Sequence, residues 1–183
     1  MKIILSEGRP SDLTGREERE VKVYDLLDSL GIKYAHADHE PAMTMEDCKA
    51  VDDMLDVVMC KNLFLCNRQK TSFYLLLIPG DKPFRTKEFS AALGISRVSF
   101  AEADAMEKHL GVLPGAVTVM GLMNDTEGEV QLVIDKDVIS AEYIGCHPCV
   151  NTSSIKVSTT DIIEKFLPHV KHRPIYVELS GQE

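Results

Sequence analysis

Two apolar runs separated by only five residues constrain this chain more than any other feature. "VVMCKNLFLC" occupies 57–66 and "SFYLLLI" 72–78, with "NRQKT" between them. Both runs are rich in strand-forming residues and too short to be helices of typical length, so they predict two adjacent buried strands joined as a hairpin. Lys61 interrupts the first run. Strand alternation puts it on the face of Met59, Leu63 and Leu65 and turns Asn62 the other way. A lysine buried on such a face needs an anionic partner or a ligand. A lysine whose stem snorkels toward the strand end needs neither. Periodicity alone leaves both readings open.

The flanking sequence alternates helices with strands. Residues 14–31, "TGREEREVKVYDLLDSLG", read as a helix with a capping-box pair at Thr14 and Glu17, a Val23–Leu26–Leu27–Leu30 stripe and a terminal Gly31. "KYAHA" is a strand, "EPAMT" a loop, and Thr44 caps a short helix over "MEDCKAV". Thr86 opens a helix that Gly94 ends. Ser99 and Glu102 open another that ends at Gly111, with Phe100, Ala103, Met106 and Leu110 on its buried face. Further strands are expected at "VQLVID", "NTSSIKVS" and "PIYVEL", with a short helix, "TTDIIEKFLP", stopped by Pro168. No linker-like stretch divides these elements. The expectation is one α/β (α+β) domain over residues 1–183 with a mixed sheet.

Composition removes several function classes. The 183 residues carry a net charge of −9, which argues against general affinity for nucleic acid, DNA included, because that affinity comes from Lys and Arg releasing phosphate counterions. Lys82, Arg85, Lys87 and Arg97 lie close enough in sequence for a local basic contact, or are simply solvated. The longest N-terminal apolar run, Ile3–Leu5, is too short for a signal peptide or a membrane span, so a soluble, cytoplasmic protein is expected. The five cysteines (48, 60, 66, 146 and 149) then read as reduced thiols.

"GCHPCVNTSS", 145–154, has the Cys-x-x-Cys spacing of redox and zinc sites. A redox pair needs a helix after its first thiol to lower the thiol pKa, and the β-prone "VNTSSI" supplies none. A structural zinc site needs a second close pair, and Cys60 and Cys66 are five residues apart inside a strand. Cys146 and Cys149 are therefore read as small buried residues flanking a loop. His147 stands apart, as does "PGAVT" (114–118), where a glycine after proline lets backbone N–H groups converge on an oxyanion or phosphate.

Together, "HEPAMTMED", "KNLFL" with "FYLLLI", "PGAVTVMGLMND", "VIDKD" and "IGCHPCVNTSS" resemble the YbaK-like aminoacyl-tRNA deacylases. That family includes free-standing prolyl-tRNA editing proteins and the editing insertion of bacterial prolyl-tRNA synthetase. The resemblance spans roughly residues 15 to 167 and implies a mixed, partly closed sheet wrapped by helices. It implies hydrolysis in trans of a wrong amino acid, chiefly alanine, from the acceptor end of proline tRNA, with prolyl-tRNA synthetase as a further partner and no metal or cofactor. It places the family's lysine at Lys61 beside Asn62, its glycine loop at Gly115, Ala116, Val117 and Thr118, and its histidine at His147, with Asn151 as a matching asparagine. Lys61, Gly115 and His147 are the catalytic candidates. Met43, Met59 and Ile144 (with Met45) are candidate walls for a small acyl pocket, and core packing explains them equally well. The family loop typically ends in proline where this chain has Val119, which puts the loop's rigidity in question. Two alternatives stay open: a deacylase for cysteinyl, seryl or threonyl esters, and a non-catalytic aminoacyl sensor on the same fold.

Overall fold

The computed structural model describes residues 1–182. In chain order the strands are β1 (Ile4–Glu7), β2 (Tyr34–Asp38), β3 (Cys60–Cys66), β4 (Phe73–Pro79), β5 (Ser99–Phe100), β6 (Val130–Asp135), β7 (Tyr143–Cys146), β8 (Ser153–Ser158) and β9 (Ile175–Val177). The helices are α1 (Glu18–Ser29), α2 (Met45–Leu55), α3 (Thr86–Leu93), α4 (Ala103–Leu110) and α5 (Lys136–Ser140), followed by a C-terminal helical stretch over 159–169. None is long and apolar enough to cross a membrane.

The two apolar runs pair as expected. β3 and β4 are antiparallel, with Lys61 opposite Ile78 and Cys66 opposite Phe73. Asn67 closes their loop, its side-chain oxygen accepting from the backbone N–H of Thr71 (2.8 Å) and Ser72 (3.0 Å). β6 then adds in parallel to the far edge of β4 and β9 in parallel to β6, giving a mixed five-stranded sheet in the order β5-β3-β4-β6-β9. β4 is therefore covered on both faces. Leu75 and Leu77 join the main core with Phe64, Leu132, Ile134 and Tyr24. Leu76 and Ile78 join a second core with Leu65, Val133 and Phe89. A strand with a core on each side needs apolar residues at nearly every position, which is the run seen in the sequence.

The remaining strands form a separate antiparallel sheet in the order β1-β2-β8-β7. The α/β, mixed-sheet expectation holds, but the strands make two open sheets rather than one partly closed sheet. The β-bridge between Met59 and Gly145 links the segment before β3 to β7. A Cβ on Gly145 would lie 2.6 Å from Met59 Sδ, 2.9 Å from Val57 Cγ1 and 3.3 Å from Met59 Cα, so any side chain there would force Met59 and Val57 to shift.

Three element boundaries differ from the sequence reading. α1 begins at Glu18 with no side-chain cap, because Thr14 is held by Asp12, whose Oδ1 accepts from the Thr14 N–H at 2.9 Å. Ser99–Phe100 is drawn into pairing with Leu65 and Cys66, so α4 starts only at Ala103 and Phe100 is exposed. Pro168 does not stop the last helix, since a π-helical turn (Ile162–Phe166) precedes it and places it at the start of the following segment, where a missing N–H is tolerated. The Thr44 cap is present in full: its hydroxyl accepts from the Asp47 N–H (3.1 Å) and Asp47 accepts from its N–H (3.2 Å).

Gly145→Ala should destabilise the protein by about 1–3 kcal/mol, the usual cost of forcing extra volume into a packed contact. Urea unfolding of the two proteins measures this, and equal midpoints would contradict the close approach.

Candidate active site

The chain leaves α4 through Gly111, whose φ of +64° is left-handed, and turns again at Gly115 with φ of +88°. Both conformations are costly for any residue with a Cβ. Ala116 N–H is spent inside the turn on the Leu113 carbonyl (3.1 Å). The N–H groups of Val117 and Thr118 have no hydrogen-bond partner among the described residues. Thr118 itself is fully buried and fixes the loop at both ends. Its hydroxyl accepts from Met120 N–H (3.2 Å), capping the 3₁₀ turn Val119–Asn124, and donates to the His147 carbonyl (2.6 Å). The glycine loop and the histidine loop are thus one unit.

Asn62 makes the third tie. Its side-chain oxygen accepts from Val119 N–H at 2.9 Å, and its Nδ2 donates to the Cys60 carbonyl at 3.1 Å. A proline at position 119 has no N–H to give. Val119 therefore replaces ring stiffness with a hydrogen bond to β3, and the loop is held rather than loosened. On the outer side, a Cβ at Gly115 would lie 3.4 Å from Asn151 Nδ2, so Asn151 adjoins the exposed bend.

His147 is largely buried. Its Nδ1 lies 2.8 Å from the Ser153 carbonyl, which can only accept, so Nδ1 carries the proton and Nε2 is left with its lone pair. Burial lowers the imidazole pKa, outweighing the opposite pull of the Ser153 carbonyl. The ring is therefore neutral near pH 7, with an acceptor at Nε2 that no described residue engages.

Strand alternation settles where Lys61 goes. Asn62 faces the glycine loop, and Lys61 lies on the other face, half-buried, its ammonium donating to the Lys82 carbonyl in the turn after β4. Lys82 is itself clamped. Its ammonium meets Asp135 (2.9 Å), Asp137 (2.6 Å) and the Leu179 carbonyl (2.7 Å). The partner of Lys61 is thus a carbonyl rather than an anion, and no hydrogen bond joins Lys61 to Gly115–Thr118 or His147 among the described residues. Of the candidate pocket walls, Met59 packs on Gly145, Ile144 is fully buried in the main core, and Met43 is 83% exposed ahead of α2.

A buried charged network beside the site went unread in the sequence. Arg16 donates to Glu20 (2.7 Å) and in bidentate fashion to Asp38 (2.8 and 2.6 Å), while Ser153 donates to Asp38 (2.8 Å) and Tyr24 to Glu20 (2.5 Å). Burial would raise the Asp38 carboxyl, but the Arg16 and Ser153 bonds outweigh it and hold it below the usual range. His36, Glu20 and Asp38 offer atoms within 4.8 Å of one another, yet the guanidinium already occupies both carboxylates. The available signal was "YAHAD", in which Tyr34, His36 and Asp38 alternate with alanines on one strand face. Burial pushes the Cys60 and Cys149 thiols up to about 12, and raises Cys146 further, so these cysteines stay protonated.

The glycine bend and a neutral histidine are thus held together through the Thr118 hydroxyl. A model of the aminoacyl-tRNA editing domain matches residues 39–165, and the chain belongs to that family; it is an aminoacyl-tRNA deacylase that edits mischarged tRNA in trans. It is 31% identical over 137 residues to the prolyl-tRNA editing protein ProX of Acetoanaerobium sticklandii, covering 74% of this chain and 83% of that one. It is 30% identical over 158 residues to the prolyl-tRNA synthetase associated domain-containing protein 1 of Danio rerio, covering 85% of each. A solved structure proposed to be a trans-editing enzyme for prolyl-tRNA synthetase superposes with a TM-score of 0.66 at 11% identity, over 90% of this chain and 99% of the other, a likeness of fold.

Asn62→Ala should cost about 1–3 kcal/mol, because it leaves the buried Val119 N–H unsatisfied. Adding Val119→Pro, at a first helical position that tolerates proline, should recover part of that loss. Denaturant unfolding of the single and double variants checks this; simple additivity of two losses would contradict the Asn62–Val119 tie.

Proposed function

We propose that this deacylase removes alanine from tRNA for proline, and that the Gly115–Thr118 bend and His147 form its reaction centre. The observation that carries the proposal is the unpartnered, half-buried N–H of Val117 on a bend fastened to the histidine loop through the Thr118 hydroxyl. An aminoacyl ester is already activated, so no protein nucleophile is needed. Water attacks the acyl carbon, negative charge grows on the carbonyl oxygen, and the Val117 N–H stabilises it. The bond to the ribose 3′ oxygen then breaks, the proton shed by the attacking water ends on that oxygen, and alanine leaves. The lone pair on His147 Nε2 accepts a hydrogen bond from the substrate's amine or a ribose hydroxyl and so holds the ester in register with that donor.

Lys61 sits on the strand face away from the bend, anchored on the Lys82 carbonyl, and keeps two ammonium protons for a phosphate of the tRNA end rather than for the ester itself. Asn151, beside the bend, is placed to contact the same nucleotide. Discrimination follows from size: a synthetase pocket made for proline rejects a smaller side chain by only ~1–3 kcal/mol per missing methylene, and a second, smaller site completes the sieve. The names of the relatives support proline tRNA, and prolyl-tRNA synthetase is the matching partner. A net charge of −9 suits an enzyme that touches only the acceptor end, working in the cytoplasm where translation occurs.

Deacylation of alanyl- and prolyl-tRNA for proline by the wild type and by Lys61→Ala and His147→Ala tests the proposal. Alanine should be released and proline spared, with His147→Ala losing about 100-fold in kcat/KM through a misheld ester and Lys61→Ala losing activity mainly through KM. Protection of the alanyl ester, as a non-catalytic sensor would give, or release of both amino acids alike, would contradict it.

A further inference from the structure

His39 lies outside the reaction centre, at the end of β2, and is 7% exposed. Its Nδ1 sits 2.7 Å from the Glu40 carbonyl, and because a carbonyl only accepts, Nδ1 carries the ring proton. Nε2 is then an acceptor, and at 2.8 Å it receives the hydroxyl proton of Ser154. Ser154 is 1% exposed, so water does not compete for that proton. With its hydrogen committed to His39, the Ser154 oxygen turns its lone pairs toward His147 Nδ1, 3.4 Å away. The two imidazoles lie 6.4 Å apart, tilted by 49°.

We propose that His39 is a positioning residue that, through the Ser154 hydroxyl, secures the His147 tautomer which the Ser153 carbonyl favours. Were His147 protonated at Nε2 instead, its Nδ1 lone pair would face the Ser153 carbonyl at 2.8 Å and the Ser154 oxygen at 3.4 Å, a repulsive arrangement. A freely rotating Ser154 hydroxyl relieves half of that repulsion by donating to Nδ1. His39 removes this escape by holding the hydroxyl proton on its own side. The consequence is that Nε2, the atom facing the substrate, stays an acceptor. The inference rests on the working role of His147 proposed above, and it assigns a purpose to a histidine that makes no contact with Gly115–Thr118 among the described residues.

Three variants separate the parts. His39→Phe keeps ring and burial but cannot accept, His39→Asn keeps a donor for the Glu40 carbonyl but is too short to reach Ser154, and His39→Gln restores an acceptor oxygen near the Nε2 position. Long-range ¹H–¹⁵N correlation spectra of the imidazoles read the tautomer without reference to activity. In the wild type His147 should carry its proton on Nδ1. In His39→Phe and His39→Asn a second population protonated at Nε2 should appear, with kcat/KM for alanyl-tRNA down roughly 10-fold, part of what a correctly protonated group supplies. His39→Gln should restore most of both. Should His39→Phe fail to fold, His39→Asn carries the same comparison. A folded variant in which His147 keeps Nδ1–H alone, with unchanged kcat/KM, would overturn the inference. Full activity in His147→Ala would instead remove the catalytic reading of His147, and the tautomer spectra would still decide whether His39 secures its tautomer.

Discussion

The hydroxyl of Thr118 is the contact on which the site depends. It is fully buried, it caps the turn that follows the glycine bend, and it holds the carbonyl of His147 at 2.6 Å. Two loops from distant parts of the chain are brought together by this one donor and acceptor. The Asn62–Val119 bond then fastens the pair to β3. A bend rich in small residues loses conformational entropy when ordered, and these ties offset that loss with bonds made in a dry environment. The bend is thereby held in one arrangement, with the half-buried Val117 N–H left without a partner among the described residues.

Behind the site lies a second layer that holds the histidine loop rather than the substrate. Ser153 spends its hydroxyl on Asp38 and its carbonyl on His147, and Ser154 spends its hydroxyl on His39. Arg16 pairs with Glu20 and Asp38 at once. Such a network is costly when half-satisfied and rigid when complete. The described residues complete it almost everywhere, the exception being His36 Nε2, which is buried without a hydrogen bond and has Asp38 Oδ1 3.5 Å away. Burial holds His36 below the usual imidazole pKa, consistent with a neutral ring there.

Much of this was legible in the sequence. The hairpin followed from two apolar runs, because a strand between two cores leaves no room for alternation. Gly94 and Gly111 ended their helices in the left-handed conformation expected of them. Strand parity placed Asn62 and Lys61 on opposite faces, although its consequence, that Asn62 rather than Lys61 meets the glycine bend, needed the tertiary arrangement. Legibility failed where distant segments decide. Ser99–Phe100 joined a strand edge instead of a helix because Leu65 and Cys66 offered partners. Arg16, His39 and Ser154 carry no local signature, since their roles come from residues as many as 115 positions away. The division into two sheets was equally hidden, because strand partners such as β2 and β8 are far apart in sequence.

The most direct measurement is a crystal structure of the protein with an uncleavable mimic of the substrate end, adenosine carrying alanine through a 3′-amide. The account predicts the amide oxygen within hydrogen-bonding distance of the Val117 N–H, with His147 Nε2 accepting from the alanyl amine or a ribose hydroxyl. An alanyl group seated elsewhere, with that N–H facing only water, would contradict it.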